Sequence, residues 1–153
     1  MPQKRRATTL LSALLCAGLA APSLASDDSL QEAIDYRSGV MNVFSWNLGP
    51  MGAMLKEKIP YDQAAFARHA RDLASATGLD VLSGFPDDSV SEDSAAMSEI
   101  WLDWDDFAAK YDDLKRESAK LAELAAGGDK AAIADQFDAT RETCKACHKK
   151  YKE

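Results

Sequence analysis

The chain has 153 residues, with 18 basic and 25 acidic side chains, a formal charge of −7, three cysteines and two histidines. That acidity disfavours nucleic acid and anionic membrane as partners, because both repel a negative surface. One closely spaced cysteine pair in a chain of this size also excludes a disulfide-scaffolded fold.

Residues 1–25 read as a secretory signal peptide. Lys4, Arg5 and Arg6 precede an apolar run from Leu10 to Ala21, and Ser23 and Ala25 supply the small residues of a cleavage site after Ala25. The run is too short to span a bilayer comfortably. Cys16 lies within it, after Leu15 rather than a small residue, and is lost with the signal instead of being lipidated. The mature chain, residues 26–153, loses three basic residues and no acidic ones, which moves the charge from −7 to −10.

Four amphipathic segments follow. In the first, Leu30, Ile34, Arg37, Met41, Phe44, Leu48, Met51 and Leu55 recur in alternating steps of four and three. Gly49-Pro50 kinks this helix without ending it. Ile59-Pro60-Tyr61 then breaks the chain, and Asp62 caps a second helix bearing Phe66, Ala70, Leu73 and Thr77. The longest join runs through Gly78, Gly84, Pro86 and the polar stretch from Asp87 to Ser94. The third segment carries Ile100, Trp104, Phe107, Tyr111, Leu114, Ser118, Leu121 and Ala125, and ends at Gly127-Gly128. Asp129 caps the fourth, with Ile133, Phe137, Thr140, Cys144, Cys147 and Tyr151. Steps averaging 3.5 residues are the seam of helices packed at a shallow angle, and no stretch alternates with period two. The fold class is all-α: a single antiparallel four-helix bundle over residues 26–153.

The fourth segment ends in E-T-C-K-A-C-H. Cys144 and Cys147 lie on its inward stripe, and His148 is one turn beyond Cys144 on nearly the same face. Zinc would require about four ligands, and adjacent Cys147 and His148 make an awkward pair. A thioredoxin-like pair belongs at a helix N-terminus after a strand, where the dipole lowers a thiol pKa. A bare disulfide or an inert pair is the plain alternative. Covalent haem, C-x-x-C-H, uses all three residues: two thiols one turn apart add to two vinyl groups, and the next residue offers an imidazole to the iron. The export signal and the helical placement agree with this last reading.

Arg37 stands in an otherwise apolar seam and requires either an anion, such as a haem propionate, or an escape to water. Met41, one turn on, either packs or covers the iron opposite His148. Trp46, Trp101 and Trp104 read as core or interface aromatics. Phe85 is divided between a haem contact and plain packing. Lys149, Lys150 and Lys152 suit a helix C-terminus and could also orient a redox partner. His69 reads as a surface histidine in preference to a ligand.

The stretches A-I-D-Y-R-S-G-V-M, W-N-L-G-P-M-G-A-M, I-P-Y-D-Q-A-A-F-A-R, S-E-I-W and C-K-A-C-H together resemble the bacterial cytochromes c′ across residues 28–152. The resemblance implies a periplasmic protein with one covalent haem c per chain, five-coordinate and high-spin, with His148 as the axial iron ligand. It implies that Arg37 contacts a propionate and that Met41 packs on the open face. Ser38 stands where relatives often carry glutamine, and Lys152 where they often carry arginine. The functions implied are electron transport and binding of nitric oxide and carbon monoxide, in a protein that is not an enzyme and pairs as a homodimer through its first two helices. Low-spin relatives of the same bundle use a first-helix methionine as sixth ligand, which would be Met41 here.

Overall fold

The computed structural model describes residues 27–87 and 89–153, and the signal segment expected at 1–25 lies outside them. Five helices account for most of that length. Helix α1 spans Asp27–Leu55 and runs on through Pro50, as its unbroken stripe implies. It closes in a Schellman turn: Lys58 N–H donates to Ala53 C=O at 2.9 Å and Glu57 N–H to Met54 C=O at 3.1 Å. Glu57 occupies the left-handed position of that turn, at φ 57°.

Helix α2, Gln63–Thr77, begins at Asp62, whose carboxylate accepts from Ala65 N–H at 3.0 Å. A 3-10 turn, Val81–Gly84, follows and lies directly on α1. A Cβ at Gly84 would meet Tyr36 Cδ1 at 2.9 Å and Arg37 Cβ at 3.2 Å, so only glycine allows this approach.

The third predicted segment is not one helix. It is divided into a single turn, α3, Glu99–Leu102, and a long helix, α4, Trp104–Ala125. The break is at Asp103, at φ −135° and ψ 56°. Its causes lie at the end of the chain, where Tyr151 Oη donates to Asp103 C=O at 3.3 Å and Lys150 Nζ reaches the Asp103 carboxylate at 2.5 Å. Helix α5, Lys130–Tyr151, starts at Asp129, which accepts from Ala131 and Ala132 N–H at 3.0 and 3.3 Å.

Helix α1 packs on α2, α2 on α4 and α4 on α5, which gives the expected four-helix bundle with α3 as an added turn. Helices α1 and α5 close the bundle at one end only. There a Cβ on Gly52 would sit 3.4 Å from the Phe137 ring, and Met51, Phe66, Leu121 and Ile133 are fully buried. Toward Met41 on α1 and Cys144 on α5 the two helices diverge around a cavity.

Polar ties hold the helices in register. Glu117 on α4 accepts from Gln136 Nε2 at 2.8 Å, and its backbone C=O accepts from Thr140 Oγ1 at 3.2 Å, both from α5. Thr77 and Ser118 hydroxyls pair at 2.8 Å between α2 and α4. His69 corrects the expectation of a surface histidine: its Nδ1 lies 3.0 Å from Oδ1 of buried Asn47, so it joins α2 to α1. Of the two readings open for Trp46, core or interface, the core one is excluded: it is 76% exposed on the outer face of α1.

Candidate functional site

The space between the diverging helices is a cavity of about 440 Å3, within the range of small-molecule and cofactor sites. Helix α1 contributes Arg37, Met41, Phe44 and Leu48; α4 contributes Phe107, Tyr111 and Leu114; α5 contributes Cys144, Cys147, His148 and Tyr151. Phe85 and residues 94–96 of the long join complete the wall. All of Cys144, Cys147, His148, Arg37, Ser38, Met41 and Phe85 therefore line one space.

Cys144 and Cys147 are half-buried one turn apart, and both are free thiols. Burial raises the Cys144 pKa, and burial together with its neighbour pushes Cys147 up to about 11. Both remain S–H at neutral pH, the opposite of the depressed thiol that a thioredoxin-like pair requires. Among the described residues no three His, Cys, Asp or Glu side chains gather as a metal-binding group, so the zinc reading finds no ligand set. Two thiols one turn apart on an apolar wall are placed to hold an apolar partner at two points.

His148 stands at the cavity rim, open to solvent on one side. Partial enclosure, and then the charge of Lys152, lowers its pKa. Its imidazole is therefore neutral at pH 7, with a lone pair free to ligate a metal.

Arg37 does not escape to water, being only 3% exposed. Its Nη1 donates to Gly84 C=O at 3.0 Å and Ser89 Oγ at 2.7 Å; its Nη2 donates to Ser89 C=O and Ser94 Oγ, each at 2.7 Å. The guanidinium also lies 4.8 Å over the Phe85 ring. Burial lowers its pKa, as it must for a cation removed from water. All four acceptors are neutral, and no ion pair to Arg37 occurs among the described residues. Arg37 thus ties the long join to α1 while lining the cavity, a role its sequence position did not disclose.

Phe85 is buried, with its ring 4.9 Å from Phe107 in an edge-to-face pair. Phe85 packs, and it also lines the cavity. Met41 is half-buried on the wall across from α5, whereas Ser38 is exposed at the mouth. Trp101 pins the long join by donating from Nε1 to Phe85 and Pro86 C=O at 3.2 and 3.0 Å. Lys150 binds Asp103 and Asp106, at 2.5 and 2.9 Å, in addition to any interaction with the helix dipole. The wall residues Ser94, Ala95 and Ala96 were not foreseen, because they lie in a polar join with no periodicity. A short antiparallel tie places them: Met97 N–H donates to Tyr151 C=O at 3.0 Å and Glu153 N–H to Ala95 C=O at 3.1 Å.

A family model described as Cytochrome C′ matches residues 32–152. Cytochrome c′ of Halomonas halodenitrificans is 34% identical over 124 residues, covering 77% of this chain and 93% of the relative. A cytochrome c-554 of Cereibacter sphaeroides is 32% identical, covering 88% and 90%. Among solved structures, cytochrome c prime from Shewanella frigidimarina superposes with a TM-score of 0.78 at 35% identity, covering 81% of this chain and 96% of that one. A nitric oxide complex of a point mutant of cytochrome c prime from Alcaligenes xylosoxidans superposes at 0.73 with 26% identity, covering 81% and 95%. Sequence, fold and the chemistry of the cavity agree: the chain belongs to the cytochrome c′ family, haem proteins that carry covalently attached haem c and serve as electron carriers or gas binders, not as enzymes.

Proposed function

We propose that this chain is a periplasmic c-type cytochrome with a five-coordinate, high-spin haem, which transports electrons and binds nitric oxide and carbon monoxide. The observation that carries the reading is the placement of Cys144, Cys147 and His148 on one wall of an apolar cavity, opposite Met41. Haem supplies an iron that exchanges one electron and takes a small ligand.

The residues supply the rest. Cys144 and Cys147 would hold the haem through two thioethers, formed by adding S–H across two vinyl groups with no atom lost. His148 would offer its neutral imidazole to the iron. Arg37 brings a cation to the cavity wall, where it can meet a propionate. Met41, Phe44 and Leu48 present apolar surface across from α5, while the polar Ser38, Asn42 and Ser45 stand at the solvent mouth. Such a wall offers little hydrogen bonding to polarised bound oxygen and favours nitric oxide and carbon monoxide. Relatives named cytochrome c′ and a nitric oxide complex of one of them support this choice.

The periplasmic assignment rests on the export signal at residues 1–25 and on the resemblance to periplasmic cytochromes c′. No described helix is long and apolar enough to cross a membrane. Tyr36, Val43 and Trp46 form an exposed stripe on α1, with exposed Leu79 close by, which suits a homodimer paired through the first two helices.

A second reading has its own observation. Met41 shares the cavity with His148, and a relative is named cytochrome c-554. In that case Met41 ligates the iron and the protein is a low-spin electron carrier. Mass spectrometry of the mature protein should give the chain from Ser26 plus one haem, and a bare polypeptide mass would overturn the assignment. Oxidised and reduced absorption spectra then decide the spin state.

A further inference from the structure

The junction of α3 and α4 carries an apolar ledge that the bundle does not use. Leu102 is 82% exposed and Trp104 is 37% exposed, two large apolar side chains, two positions apart, left outside the core. The ledge is also in ring contact with the cavity wall. Trp104 lies 5.6 Å from Phe107, which lies 5.2 Å from Tyr151 and 4.9 Å from Phe85, and the last three all line the cavity.

Its surroundings are acidic. Glu99, Asp103, Asp105 and Asp106 flank the two apolar side chains within eight positions of sequence. Lys150 holds Asp103 and Asp106, and Lys110 also pairs with Asp106. Glu99 and Asp105 have no ion-pair partner among the described residues. An apolar centre beside two unpaired carboxylates, in a rim of four acids and two lysines, is the complement of a basic surface with an apolar centre.

We propose that the Leu102–Trp104 ledge is the docking surface for a basic one-electron redox protein. This rests on the electron-transport reading given above. One electron leaves the partner's reduced metal centre, which is oxidised by one unit, and reduces the haem of this chain by one unit; no proton moves and no bond is made. Docking here sets the partner against the aromatic rings that wall the cavity, shortening the gap an electron must cross. A second copy of this chain is disfavoured, because two acidic rims would face each other, and the α1 stripe of Tyr36, Val43 and Trp46 offers self-association a separate surface.

The test uses the holoprotein and, as probe, a lysine-rich cytochrome c with zinc in place of iron, so that association is read by calorimetry without electron transfer. The wild type should bind at low ionic strength and weaken as salt is added. Leu102→Ser and Asp105→Asn should each weaken binding, and together by roughly tenfold or more, with the haem spectrum unchanged. Trp46→Ser should bind as the wild type does. The proposal is overturned if the wild type does not bind the probe, if the ledge variants bind equally well, or if Trp46→Ser weakens binding to the same degree. Cycling the holoprotein with small iron complexes tests the underlying reading separately. A protein that cycles but whose ledge variants bind normally loses only the docking surface; a protein that does not cycle loses the electron-carrier reading and the redox role of the ledge with it.

Discussion

Arg37 holds the long join, and in the proposed reading it also meets a haem propionate; substitution can pull the two apart. Arg37→Leu removes the donors to Gly84 C=O, Ser89 C=O and the Ser89 and Ser94 hydroxyls. The hydroxyls can rotate toward other partners, but two carbonyls are left without their donor, each at about 1–3 kcal/mol. Leucine also relieves the cost of burying a cation, so a net loss of about 2–4 kcal/mol is expected. The double variant Ser89→Ala, Ser94→Ala leaves the cation in place and loses only the two hydroxyl acceptors, about 1–3 kcal/mol. Denaturant unfolding of the holoprotein measures both losses, amide exchange across residues 85–96 reports how firmly the join is held, and voltammetry gives the reduction potential. Arg37→Leu should loosen the join and shift the potential; the serine variant should loosen the join alone. If the serine variant shifts the potential as far as Arg37→Leu does, Arg37 acts through the join and not on a propionate. If Arg37→Leu leaves amide protection unchanged, the tie itself is wrong.

Other outcomes are as concrete. Met41→Ala should speed carbon monoxide binding in stopped-flow measurements while the resting spectrum remains high-spin; a low-spin wild type that becomes high-spin in the variant would make Met41 a ligand. Glu57→Gly should stabilise the protein by about 1 kcal/mol, because glycine adopts the left-handed turn without a Cβ clash, and an unchanged or lower denaturation midpoint would contradict that. Asp106 is held at about 2 by hydrogen bonds from Tyr151 and then Lys150. A depressed carboxyl pKa stabilises the fold above the unfolded value and ceases to do so as pH falls through the folded one. Asp106→Asn should therefore flatten the acid-induced loss of stability between about pH 4 and 2, followed by circular dichroism.

What the sequence disclosed is what local chemistry decides. Steps of four and three place Ile34, Phe44, Met51, Phe107, Leu121, Ile133 and Phe137 inside, and all are buried. Asp62 and Asp129 act as caps because a cap needs only the next three residues. The break at Asp103 is set by Tyr151 and Lys150, nearly fifty positions later, so no window of sequence around it contains the cause. The charge of Arg37 predicted that partners must exist, but not that they would be neutral oxygens from a polar join. Trp46 and Trp104 show the limit of hydrophobicity as a guide, since both are exposed, Trp46 to 76%. The thiols and imidazole were legible because covalent attachment fixes spacing along the chain rather than through space.

The one-sided closure of the bundle means that α1 and α5 are each governed by two different constraints along a single stripe. Around Gly52 and Phe137 the rule is volume: a methylene more or less is felt, and chemistry hardly matters so long as it is apolar. Three turns away along α1 and two along α5, around Met41 and Cys144, the rule is reactivity and access, because there the side chains face a cavity instead of one another. Sequence drift should therefore be slow at both ends for unlike reasons, with size conserved at one and functional groups at the other. The cavity half can be retuned by substitution on α1 without reopening the packed half, so that one scaffold accommodates haem proteins of different ligand chemistry.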